Sequence, residues 1–409
     1  MRSSASRVEL LAPAGTPEKL EIAVHYGADA VYLAGQNFSL RNFSANFSEP
    51  ELYAARTFTQ DHGVRMYVAV NIYSRDRETH AIRCYLDVLG KVNPDALIVA
   101  DPAVFMLARK HLPHISLHIS TQANTTNTGT ARFWKNLGAS RVNTARELNL
   151  TEIREMAKHS GIEIEAFAHG AMCMAYSGRC LMSGYMAGRE SNRGECCQPC
   201  RFHYTVMEET RPGQYFPVFE DDRGSYIFNS RDLCMIHHIP EMVDAGIASL
   251  KIEGRMKSIH YLASVVKVYR EAIDAWYESP ETYTVRPEWD EELTAVSHRG
   301  YGTGFYFENA CETMMNTVNR VHPGYRFVAQ VLSPTPDGGN RILVKNRMLE
   351  NETVNVLSPG GPTRLDRIKQ IVDENGVRQS VAQPGSRVVL YLDTPAKRLD
   401  LIRCPPSDL

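Results

Sequence analysis

The sequence predicts an α/β fold: a (β/α)8 barrel of the TIM type with a cysteine-rich insertion, followed by a small antiparallel β-barrel domain. Three observations carry this. Eight short apolar, β-branched runs recur up to residue 252, most of them 20 to 35 residues apart, the length of one βα unit. The segments between them carry helical periodicity and helix start signals. Beyond Gly304 the texture changes to short strands separated by glycine- and proline-rich turns, with no long helical pattern between them.

In chain order the strand-like runs are residues 8–12, 30–34, 66–70, 96–100, 116–120, 141–144, 162–168 and 249–252. The spacing predicts a helix over 17–26, after Gly15-Thr16, and another over 103–110, after Asp101-Pro102. Proline suits the first helical turn because its missing N–H would go unused there. The gap before the last run is far longer than the others and holds most of the cysteines. Strands joined by helical crossovers pair in parallel and close most readily as a barrel; a doubly wound open sheet is the other arrangement. Runs at 328–332, 342–345, 353–357 and 387–392, broken by Pro-Asp-Gly-Gly, Pro-Gly-Gly and Glu-Asn-Gly, predict the second domain. The expected boundary divides residues 1–324 from 325–409.

Composition is that of a soluble globular enzyme, 43% hydrophobic and 22% charged. A formal net charge of −2 gives no global field for a polyanion, so nucleic acid would have to be met by a local basic patch. No stretch approaches the roughly 18 apolar residues of a membrane span, and the N-terminus lacks a signal-peptide pattern. A cytoplasmic protein without a membrane partner is expected, its oligomeric state open. Nine cysteines in a reducing compartment are poor candidates for disulfides.

In a parallel barrel, chemistry gathers at the C-terminal ends of the strands. Those ends carry Asn71, Asp101, Gln122 with Asn124, Arg146 with Glu147, His169, and Glu253 with Arg255. Asp101 also reads as a plain helix N-cap. Arg146 and Arg255 could grip carboxylates or phosphates bidentately; internal ion pairs, Arg255 with Glu253 for one, are the alternative. His169 could transfer a proton or brace a metal ligand, or be a hydrogen-bonded structural histidine.

Five cysteines fall within 28 residues: Cys173, Cys180, Cys196, Cys197 and Cys200. Four thiolates, Cys173, Cys180, Cys196 and Cys200, can hold zinc or an iron–sulfur cluster. Six residues separate the first pair and three the second, which suits a loop-held cluster better than a zinc knuckle, without excluding zinc. Cys197 and Cys234 are possible replacements, while Cys84, Cys311 and Cys404 read as packing residues. Tyr176, Tyr185, Phe202 and Tyr204 interleave with Arg179, Arg189, Arg193 and Arg201, a pattern that serves a core or the stacking of splayed RNA bases.

The segment from Glu165 through Phe167, His169, Gly170, Cys173, Gly178 and Cys180 to Ser183 resembles the signature of the U32 family, the collagenase-like peptidases. Glu9-Leu-Leu-Ala-Pro13-Ala-Gly15 resembles its first strand and Ser249-Leu-Lys251-Ile-Glu253-Gly254-Arg255 its last; His298-Arg-Gly300-Tyr301 and the small β-domain resemble its longer members. Length, the loop 37–42 and the segment 219–226 are similar to the branch that hydroxylates tRNA. The resemblance implies an oxygen-independent hydroxylase with a four-iron, four-sulfur cluster, converting wobble uridine to 5-hydroxyuridine with prephenate as hydroxyl source. On that reading His169, Arg146, Glu253 and Arg255 are the catalytic candidates. Arg41, Asn71, Gln122, Asn124 and Lys251 are candidates for substrate contact, and Cys173, Cys180, Cys196 and Cys200 for the cluster. Two rivals stand beside it: a U32-type peptidase, although the chain has no His-Glu-x-x-His or Gly-x-Ser-x-Gly, and an RNA-binding protein with a structural metal.

Overall fold

The computed structural model describes residues 7–39, 46–173, 175–201, 205–207, 215–217, 230–307 and 324–405. The chain forms two compact units, one of Met1–Leu20, Asp29–Met256 and Arg299–Arg320, the other of Glu21–Ala28, Lys257–His298 and Val321–Leu409. Arg41, Cys311, Phe202, Tyr204 and the segment 219–226 lie outside the described residues.

The eight runs read from the sequence all become barrel strands of the first unit. These are β1 (Glu9–Pro13), β2 (Ala30–Leu33), β3 (Arg65–Val70), β4 (Ala96–Val99), β5 (Ser116–Ile119), β6 (Arg141–Asn143), β7 (Glu163–Ala171) and β8 (Ser249–Ile252). Each pairs in parallel with the next, and β8 pairs with both β7 and β1, closing the barrel. Sheets buried on both faces read as continuous apolar runs, and β2, β4 and β8 are buried at every position. Local chemistry sets the helices. The Asp101 carboxylate accepts from the backbone N–H groups of Ala103 (2.8 Å) and Val104 (3.2 Å) at the start of Pro102–His111. Asn149 and Glu152 form a reciprocal capping box on Leu150–Ser160.

β7 runs further than the sequence reading allowed. Its last residues pair antiparallel with Asp232–Cys234, His169 facing Cys234, and the Glu253 N–H donates to the His169 carbonyl at 2.8 Å. His169 is therefore inside a strand and not beyond its end. The extra length comes from backbone pairing with a segment distant in sequence, which residue pattern cannot show.

Charge is buried inside this barrel. Register sets Glu9 beside Ser249 and Ser249 beside Glu165. Glu9 accepts from Arg141 (2.5 Å), Tyr67 (2.7 Å) and Ser249 (2.8 Å), and Lys251 bonds Glu165 at 2.7 Å. Burial pushes the Glu9 carboxyl up, but Arg141, the Tyr67 hydroxyl and Arg65 together hold it below the usual carboxylate range.

The second unit contains the helix Ile259–Glu278 and an antiparallel barrel of β9 (Arg326–Pro334), β10 (Asn340–Val344), β11 (Thr353–Leu357), β12 (Arg364–Val372), β13 (Arg387–Leu392) and β14 (Leu401–Cys404). Strand order is β11-β14-β9-β10-β13-β12, with β12 returning to β11. Two of the six, β12 and β14, were not read from the sequence. In β12 exposed charged residues alternate with Asp366, Ile368 and Ile371, so its apolar signal is thin.

A buried polar network joins helix and strands in this unit. Arg403 forks onto Glu292 with two bonds of 2.6 Å, Ser264 and Thr363 donate to the same carboxylate, and Arg403 also donates to Nε2 of buried His260 at 3.0 Å. Burial and the Arg403 guanidinium lower the His260 pKa to about 3. The unfolded imidazole takes up its proton near pH 6.5. Stability held by neutral His260 is thus present above about pH 6.5 and is lost progressively as pH falls toward 3, the slope steepening once the unfolded imidazole is fully protonated. Denaturant unfolding between pH 7 and 5 should show this slope, and His260→Gln should flatten it; an unchanged slope in the variant would contradict the assignment.

Candidate active site at the barrel mouth

A cavity of about 340 Å³ opens at the C-terminal ends of the strands, within the first unit. Its floor is apolar, with Tyr32, Ile98 and Phe167 contributed by β2, β4 and β7. Lys251 crosses that floor with its ammonium 4.5 Å from the Tyr32 ring and bound to Glu165. The mouth above brings together Asn71, Gln122, Arg146, Lys251, Glu253 and Arg255, with Cys173, Cys180, Cys196 and Cys200 on the covering segment.

The covering segment is fixed to the barrel by several independent contacts. The Ser177 N–H donates to Glu147 at 2.9 Å, and the Ser177 hydroxyl lies 3.2 Å from the same carboxylate and 3.4 Å from Thr121. The Tyr73 hydroxyl sits between the carbonyls of Gln122 (2.5 Å) and Gly178 (3.2 Å). Gly178 has φ +74°, and a Cβ there would fall 2.1 Å from the Gln122 carbonyl oxygen, so only glycine fits. Ser191 and Asn192 donate to the Cys180 carbonyl at 2.7 and 3.1 Å. Arg193 pairs with Glu78 and Glu190, which accounts for one of the four arginines of the segment.

Arg146 stands apart from the other cations. Its guanidinium lies 4.1 Å from the Phe167 ring centre and, among the described residues, donates to Cys173 Sγ alone, at 3.6 Å. Its buried Nε has no hydrogen-bond partner among the described residues. Arg255 is buried and donates to Asn46 (2.6 Å) and Ser39 (3.5 Å), the two described residues that bracket the loop holding Arg41. Glu253 meets the Tyr32 hydroxyl at 3.4 Å.

Two candidates stand outside the cavity lining. His169 is buried with its ring 5.3 Å from that of Tyr301, and Asn124 occupies a left-handed position closing the turn Thr121–Ala123. Sequence reasoning passed over Asn143, the last residue of β6. Its side chain lines the cavity, is 2% exposed, and leaves Oδ1 without a partner among the described residues. A polar residue ending a buried strand was the available signal.

No disulfide joins the described cysteines to one another. Cys197 turns to Ser183, sulfur to hydroxyl at 3.3 Å, Cys234 lies beside β7, Cys84 is exposed on a helix, and Cys404 is buried in the second unit. Among the described residues no three His, Cys, Asp or Glu side chains are placed together as a metal-holding group. The chemistry of the donor set does suit a thiophilic group, since four thiols from three short stretches border one cavity.

A closed parallel barrel with a thiol-lined cavity at its strand ends defines the class. The chain belongs to Peptidase family U32, whose profile covers residues 15–316, and the profile of the Peptidase family U32 C-terminal domain covers 323–403. It is 40% identical to "tRNA hydroxylation protein P1" of Bacillus subtilis, over 94% of this chain and 91% of that one. It is 34% identical to "tRNA hydroxylation protein P" of Escherichia coli, over 95% and 94%. It is 35% identical to a "Collagenase" of Porphyromonas gingivalis, over 73% of each chain.

Proposed function

We propose that this chain is a tRNA-modifying enzyme of the cytoplasm that converts uridine at the first anticodon position to 5-hydroxyuridine. The reading takes prephenate as hydroxyl donor, no molecular oxygen, and a four-iron, four-sulfur cluster held by Cys173, Cys180, Cys196 and Cys200. The observation that supports it most is the make-up of the cavity, where four thiols, the guanidinium of Arg146 and three strand-end amide side chains share one small-molecule-sized space. The names of two relatives, both tRNA hydroxylation proteins, agree with the tRNA hydroxylation part of this reading. No described helix is long and apolar enough to cross a membrane.

The cluster would supply an iron centre for redox or Lewis-acid chemistry. The protein's own groups do the rest. Arg146, held along Phe167, is available to a carboxylate of the donor, and the cover limits water at the reacting atoms. Tyr176 and Tyr185 are 60% and 91% exposed and so are not core residues. With exposed Arg179 and Arg189 on the same cover, they form a surface on which bases can stack. The peptidase alternative finds no support at Ser177, whose buried hydroxyl faces a carboxylate and a threonine.

The direct test incubates anaerobically purified protein with unmodified tRNA and prephenate and looks for 5-hydroxyuridine by nucleoside mass spectrometry. Arg146→Ala should lower kcat/KM for prephenate on the order of 10- to 100-fold, the value of a hydrogen bond to a charged group, with tRNA affinity unchanged. Full activity in that variant would remove Arg146 from the donor site.

A further inference from the structure

Three amide side chains line the cavity from strand ends that neighbour one another: Asn71 after β3, Gln122 after β5, and Asn143 ending β6. In barrel order β3 and β5 flank β4, which lies opposite β8, the strand carrying Lys251 and leading to Glu253 and Arg255. The amides thus face β8 across the mouth, with Arg146, just after β6, as the one cation among them in the described cavity lining. Asn71 donates to Ser120 at 3.3 Å, and Ser120 accepts also from the Gln122 N–H. Gln122 Oε1 and Asn143 Oδ1 are buried and have no donor among the described residues. An acceptor left unsatisfied in a buried site costs roughly 1–3 kcal/mol, and folded proteins rarely keep such groups without a use. The Asn143 case is the sharper, because its side chain is 2% exposed and borders the cavity directly.

Resting on the functional reading above, we infer that Asn143, with Gln122 beside it, recognises the imide edge of the target base. The unpartnered Asn143 oxygen accepts the N3–H of uracil, and the same amide donates to an adjacent ring carbonyl. The fit is one of chemistry: an imide offers a donor beside an acceptor, and a carboxamide offers an acceptor beside a donor. Arg146 follows the same strand as Asn143, and its guanidinium reaches over Phe167 of β7, so the neutral base and the anionic co-substrate lie side by side at the β6–β7 part of the mouth. Asn143 is thus a specificity-determining contact.

The test uses the iron-loaded full-length protein, prephenate, and two anticodon stem-loop RNAs, one with uridine and one with N3-methyluridine at the first anticodon position. Wild-type protein should hydroxylate the methylated RNA about 10- to 100-fold more slowly, as expected for one lost buried hydrogen bond. Asn143→Leu should slow the uridine RNA by a similar factor, with iron content and unfolding temperature close to wild type. Combined, the two changes should cost little more than either alone, because each removes the same bond. Equal wild-type rates on the two RNAs would overturn the inference without needing any variant, as would additive losses. Failure to hydroxylate the unmethylated RNA would instead overturn the functional reading, and this inference with it.

Discussion

Protein purified with Cys180 replaced by alanine is expected to contain essentially no iron or acid-labile sulfide and to leave tRNA unmodified. Cys180 borders the cavity, and its carbonyl is held by Ser191 and Asn192, so the thiol is presented from a fixed backbone. Loss of one thiolate from a four-thiolate set removes a full ligand bond, and cluster assembly does not tolerate that as a graded loss. The barrel should remain folded, because its closure depends on strand pairing and buried apolar contacts that do not involve the sulfur. Cys84→Ser, on an exposed helix face next to His80, is the matched control and should keep its iron. Iron and sulfide at wild-type levels in the Cys180 variant would exclude it as a ligand. Zinc without sulfide in the wild type would favour the structural-metal reading.

Arg141→Met should destabilise the protein by about 3–5 kcal/mol, the usual cost of removing one partner from a buried ion pair. Arg141 is buried in the barrel interior, bonded to Glu9 and Glu163 and 3.6 Å from Glu165. Without it Glu9 keeps Tyr67, Ser249 and Arg65 but loses the partner that does most to offset its burial. The pH dependence has a definite sign. A carboxyl whose folded pKa is lowered contributes stability above its unfolded pKa and loses it as pH falls. The difference between Arg141→Met and wild type should therefore be largest near neutrality and shrink below about pH 4.5, where unfolded glutamate is protonated. Urea unfolding at pH 7 and pH 4 measures both, and a variant as stable as wild type at pH 7 would show that the interior ion network is dispensable.

Much of the fold and of the site is legible in the sequence. The barrel strands stand out because each is a short apolar run bounded by turn or cap residues, as at Asp101-Pro102, where sequence and cap geometry agree. Strand ends could be read as cavity residues because a parallel barrel points them all to one face, and Asn71, Gln122, Arg146, Glu253 and Arg255 do meet there. What stayed hidden depends on pairing across long separations. His169 belongs to a strand prolonged by Asp232–Cys234. Glu9, Arg141 and Glu165 look like surface charges until the barrel closes around them. Asn143 was hidden within its strand run, and only its missing donor makes it conspicuous. Tyr176 and Tyr185 could have been core by composition; their exposure on the cover decides the matter.

The central claim, cluster-dependent hydroxylation of tRNA uridine, is tested most directly by nucleoside mass spectrometry of tRNA from cells lacking this gene and any redundant enzyme. Complementation would use wild type or Cys180→Ala. The account predicts that 5-hydroxyuridine and its derivatives disappear in the deletion, return with wild type, and stay absent with the variant. An unchanged nucleoside profile in the deletion would contradict it.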